Sequence, residues 1–128
     1  MPSLSRNGGD KSLGSDPFPV DGGPNKPGTL SADESDAWDW LMSRIPSNCL
    51  RKVDALQLEI LCQCKVGANQ LNRVLQLDPL DHKTRAKYIA LVAHIRGLSA
   101  QFGLSPVDRQ RMKLAPETQD DLEDFLGE

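Results

Sequence analysis

From residue 31 onward, apolar residues recur three and four positions apart, the spacing of one face of an α-helix. No segment alternates apolar and polar residues between turn signals as a strand would. The first predicted helix opens at Ser31, where Ser31-Ala32-Asp33-Glu34 forms a capping box that satisfies two free backbone donors. Trp38, Leu41 and Ile45 share its inner face, and Pro46 stops it. Trp40 falls elsewhere on the helix and either meets another subunit or stands exposed. A second helix runs from about Arg51 to about Leu77, with Leu61, Cys64, Ala68, Leu71 and Leu75 forming a heptad seam. The small side chains at its centre let another helix approach closely. A third helix is predicted to open at Asp78-Pro79-Leu80-Asp81, an acidic N-cap followed by Pro at the first helical position. It carries Tyr88, Leu91, Ile95, Leu98 and Phe102 at the same alternation and stops at Gly103. About 24 residues at a rise of about 1.5 Å each give a rod of about 36 Å. Two such rods joined by a short turn pack antiparallel as a hairpin.

A short fourth helix follows, because Ser105-Pro106-Val107-Asp108 repeats the pattern of cap, proline and acid. Beyond Pro116, Leu122, Phe125 and Leu126 sit at the spacing of a small amphipathic helix, marginal alone and in need of a surface. Ahead of residue 31 the chain holds six glycines and five prolines and few apolar residues. Such a stretch cannot offset its ordering entropy and is expected to be a disordered arm. The predicted fold is all-α: a short N-terminal helix, a long antiparallel helical hairpin and a short C-terminal helix. It divides into an arm (1–30), a helical oligomerisation and DNA-binding domain (31–114) and an acidic tail (115–128).

Both long helices are apolar over more than one stripe. Leu56, Ile60 and Val74 flank the first seam, and Ile89, Val92 and Ala93 the second. A hairpin uses one face of each rod, so the rest must be covered by helix one, by other copies of the chain, or by both. The alternative is a compact monomeric bundle. The candidate oligomerisation residues are Leu61, Leu71, Leu75, Tyr88, Leu91, Ile95 and Leu98.

The net charge of −3 conceals a segregation: residues 1–30 are neutral, 31–114 carry +3, and 115–128 carry −6 with no base at all. A mildly basic body admits a polyanion partner. Lys83, Arg85 and Lys87 near the start of helix three and Arg109, Arg111 and Lys113 on helix four are the candidate DNA-binding residues. The same residues also fit a solvated helical face. The acidic tail admits three roles: a solubilising extension, a peptide docking on a partner through Leu122, Phe125 and Leu126, or an internal shield for the basic residues. No apolar run is long enough to cross a membrane, and the three cysteines fit a reducing, cytoplasmic setting. Cys49, Cys62, Cys64, His82 and His94 lack zinc-site spacing, and no phosphate-binding Gly-x-x-x-x-Gly-Lys loop occurs. No cofactor, metal or catalytic residue is expected.

The run Phe102-Gly103-Leu104-Ser105-Pro106-Val107-Asp108-Arg109-Gln110-Arg111-Met112-Lys113-Leu114 resembles the carboxy-terminal signature of the phage terminase small subunits: Gly-Leu-Ser/Thr-Pro, two variable residues, Arg, then a basic and apolar run. The layout upstream is also similar, with a Gly/Pro-rich arm, a Leu-Ser helix start with a Trp inside, and a long helix beginning near Val53-Asp54. The resemblance covers about residues 29–114. It implies a non-enzymatic, multimeric, ring-forming protein of the host cytoplasm. Such a protein recognises viral double-stranded DNA and recruits and regulates the large ATPase/nuclease subunit. A helical transcriptional regulator reading DNA with helices one and two is the alternative, and an adaptor without nucleic-acid affinity a third.

Overall fold

A computed structural model of the chain describes residues 22–112 and 120–127. Among these residues every regular element is helical: α1 (Ala32–Arg44), α2 (Ala55–Leu77), α3 (His82–Ser99), α4 (Pro106–Arg111) and α5 (Asp121–Leu126). Most of the arm expected over 1–30, together with Lys113 and Pro116, lies outside the described residues. Residues 22–30 run against the body, where Leu30 packs on the core and Lys26 pairs with Asp39 at 2.9 Å.

α1 begins with the capping box, the Ser31 Oγ accepting from the Glu34 N–H and the Ser31 N–H donating to the Glu34 carboxylate. Asp33 and Glu34 in its first turn and Arg44 in its last complement the helix dipole. Trp38, Leu41 and Ile45 are buried. Two short 3-10 turns, Ser47–Cys49 and Lys52–Asp54, lead into α2, and the Asp54 carboxylate accepts from the Arg51 N–H at 3.0 Å.

α2 is the central element, packed against α1 and α3. Leu58, Leu61, Cys62, Ala68 and Leu75 are its buried residues. The close approach expected at the small residues is made beside Gly67, where an added Cβ would lie 3.3 Å from a Leu91 methyl.

α3 starts later than expected. Asp81, not Asp78, is the N-cap: its carboxylate accepts from the Thr84 N–H at 3.1 Å and from the Thr84 hydroxyl at 2.8 Å. Those two bonds hold the Asp81 carboxyl below its usual range, the hydroxyl bond weighing most. Pro79 and Leu80 form the connecting turn instead. Past Ser99 the helix tightens into a 3-10 turn, Ala100–Phe102, and Gly103 ends it in the left-handed conformation (φ 66°). The core gathers residues of every helix except α4, joined by Phe102 and Leu104. Leu122 and Phe125 of the tail belong to it.

Candidate functional site

The residues from Gly103 to Arg109 form a junction between the hairpin and α5. Gly103 turns the chain, Leu104 is fully buried, and Ser105 caps α4 by accepting from the Asp108 N–H at 3.1 Å. Pro106 takes the first helical position, where no N–H is needed. Arg109 then points inward. Its guanidinium donates to the Asp121 carboxylate, and the two side chains are 4% and 8% exposed. The Leu104 carbonyl accepts from the Leu122 N–H at 2.8 Å, so α5 is tied to the junction by backbone as well as by charge.

α5 lies in a seat of cations. The Arg44 guanidinium is 3.4 Å from Asp121, and Arg96 pairs with Glu123 at 3.0 Å. The Lys65 ammonium donates to the Gly127 carbonyl at 2.6 Å and lies 5.5 Å from the Phe125 ring centre. The floor is aromatic: Trp40 and Phe125 have ring centres 5.4 Å apart, tilted by 34°, and Arg44 lies 5.2 Å over Trp40. Trp40 is thus half-buried, partly covered by this chain's own tail. Clefts of about 390 Å³ and 380 Å³ flank α5, one bounded by Trp40, Lys65 and Arg73, the other by Tyr88, Ile89 and Val92.

The expected DNA-binding residues divide. Lys83 and Lys87 are exposed and, four residues apart, share one flank of α3. Arg85, also exposed, lies nearly opposite at about 100° per residue, and it donates to the Pro79 carbonyl at 3.3 Å. Arg111 is exposed and paired with Asp108 at 2.7 Å. Arg109 is buried against Asp121, and a phosphate reaches it only in place of that carboxylate. Sequence reasoning missed Arg44, Lys65 and Arg96, none of which stands in a run of bases. The signal that pointed to them was the set of six acids beyond residue 114, which a basic body has to answer.

The expected oligomerisation residues lie within one chain. Leu61, Leu75 and Ile95 are buried, and Leu71, Tyr88, Leu91 and Leu98 half-buried. Leu61 and Ile95 belong to the core of the chain itself, and Tyr88, Leu91 and Leu98 pack against it. What stays uncovered is a different set: Leu56 (65% exposed), Leu77 (90%), Leu80 (77%) and Ile89 (59%), with Val53, Val74 and Val107. The expected docking residues are also occupied, Leu122 and Phe125 being buried and Leu126 half-buried. Of the basic residues that an internal shield would cover, α5 pairs with Arg109, whereas Lys83, Arg85, Lys87 and Arg111 stay exposed.

The uncovered strip of α2 bears Leu56, Gln63, Gln70, Val74 and Leu77, with a single cation, Arg73, at its margin. That is poor chemistry for a helix lying between phosphate rows. The thiols of Cys62 and Cys64 are both pushed up by burial, that of Cys62 to about 12 with the nearby Glu34 and Glu59 charges adding to the effect. No cluster of three or more His, Cys, Asp or Glu side chains suited to a metal occurs among the described residues. No helix among them is long and apolar enough to cross a membrane. Comparison with protein-family models, with curated proteins and with solved structures gives no match.

Proposed function

We propose that this chain is a terminase small subunit, a non-enzymatic homo-oligomer that binds double-stranded viral DNA and recruits and regulates a large ATPase/nuclease subunit. The observation that carries this reading is the segment from Gly103 to Arg109. Its residues match the signature on which the resemblance rests. They also act as one unit, with Gly103 as turn, Leu104 as anchor, Ser105 and Pro106 as helix start and Arg109 as tie.

Two further features support the reading. The hairpin leaves Leu56, Val74, Leu77, Leu80 and Ile89 uncovered, and association of copies, closed into a ring in this proposal, buries them. Lys83 and Lys87 form an exposed cationic flank suited to phosphates. With Leu122 and Phe125 buried, the large subunit meets the hairpin turn at Leu77 and Leu80 in this proposal, not the tail.

Native mass spectrometry and duplex binding across a salt series test the reading. An assembly well above the 14.1 kDa of one chain is expected. The double variant Lys83→Ala/Lys87→Ala should make the logarithmic salt slope shallower by about 1.8, two phosphate contacts at about 0.9 each. A protein that stays monomeric at micromolar concentration and ignores duplex in low salt rules the proposal out.

A further inference from the structure

The cations that hold α5 come one from each of the other helices: Arg44 from α1, Lys65 from α2, Arg96 from α3 and Arg109 from α4. They are scattered over 66 positions of sequence and brought together only by the fold. What they grip is a six-residue helix carrying Asp121, Glu123 and Asp124. We propose that α5 is an internal competitor for the nucleic-acid backbone: its carboxylates and duplex phosphates take turns on this seat, so polyanion affinity is held down while α5 is docked. The inference rests on the DNA-binding reading above and names how that binding is regulated.

Three features argue for exchange. First, the seat is a polyanion site by composition. Three of its four cations are arginines, whose planar forks suit carboxylate and phosphate alike, and Trp40 forms its floor. Second, the outer contacts are accessible. Arg44 is 38% exposed, and Arg96 and Glu123 are 50% and 57% exposed, so an incoming phosphate reaches them before α5 has moved. Third, α5 is helical only through its contacts with the body. Six residues do not sustain a helix in water without a surface, so loss of the outer pairs weakens the whole element. Phosphate then replaces the Asp121 carboxylate on Arg109, which keeps that buried guanidinium paired. The acid-rich tail and the buried signature arginine thereby acquire one shared role.

Duplex binding to the full chain and to Glu123→Gln, combined with hydrogen–deuterium exchange over residues 120–127, tests this. Glu123 pairs at the surface, so its replacement leaves the core intact. The variant is expected to bind duplex about two- to fivefold more tightly, the scale of one surface ion pair. Exchange over residues 120–127 is expected to accelerate when duplex is added to the full chain. Both results are required. Duplex bound without faster exchange makes α5 a fixed part of the body and overturns the inference while DNA binding stands, even if the variant binds more tightly. Faster exchange with unchanged variant affinity overturns the competition. No duplex binding by either protein removes the DNA reading itself, and this inference with it.

Discussion

Arg109 and Asp121 hold guanidinium against carboxylate inside the protein, although they belong to different helices and lie twelve positions apart in the chain. The contact is shielded from solvent and joins the only two short α-helices among the described residues. Removing one partner leaves a buried charge short of its main counter-ion. Asp121→Asn should therefore lower stability by about 3–5 kcal/mol, read as a reduced urea midpoint. The double variant Arg109→Met/Asp121→Leu should recover most of that loss, since two apolar groups need no partner. If the single variant denatures like the parent protein, the pair does not form in solution.

The burial of α5 is tested independently of charge. Phe125 is 3% exposed, and Phe125→Ala should cost about 3–5 kcal/mol as a large-to-small core change. Leu126 is only half-buried, and Leu126→Ala should cost distinctly less. Equal and negligible effects at both positions would describe a tail that hangs free.

Two glycines at opposite ends of one region should respond with opposite signs. Gly97 lies within α3 with open space around its Cα, so Gly97→Ala should stabilise a single chain by about 0.8–1 kcal/mol through helix propensity. Gly103 sits at φ 66°, and Gly103→Ala should destabilise by about 1–2 kcal/mol, the strain of a left-handed alanine. Thermal unfolding of the two variants decides. A gain at Gly103 would mean that the turn has another conformation.

Asp81 links stability to pH. Its folded carboxyl is held below the usual range by Thr84, whereas the unfolded value is about 3.9. A lowered folded value means that the stabilisation is complete above the unfolded pKa and is lost as pH falls through the folded one. Asp81→Asn keeps a capping oxygen but cannot titrate. The variant should thus lose less stability than the parent between neutral and acid pH. Parallel curves would show that the cap carries no net charge effect.

Thiol chemistry gives a further check on packing. Cys62 is fully buried with its thiol pushed up to about 12, so it should be the last of the three cysteines to react with a disulfide reagent near pH 8. Reaction in step with Cys49 would place Cys62 at the surface.

The helices were legible in the sequence because their signals are local. The Ser31 box, the Gly103 stop and the Ser105-Pro106 start each act within a turn of the residues they cap. The start of α3 was misplaced because Asp78 and Asp81 both suit an N-cap, and what selects Asp81 is the Thr84 hydroxyl three residues on. The long-range features were not legible. Trp40 finds Phe125 across 85 positions of chain, and nothing beside either residue announces the other. The same holds for Arg44, Lys65 and Arg96, which look like ordinary surface bases until the fold aligns them. The burial of Arg109 was not legible for a related reason. It stands among Arg111 and Lys113 in a run that looks basic, and only the return of the tail reveals an acid reserved for it.

A grip assembled from four separate helices sets an order of events. Until those helices have come together, the last element finds nothing to hold, and its six residues add no nucleus of their own. Protection of these amides from solvent exchange therefore requires that the other four helices are already assembled.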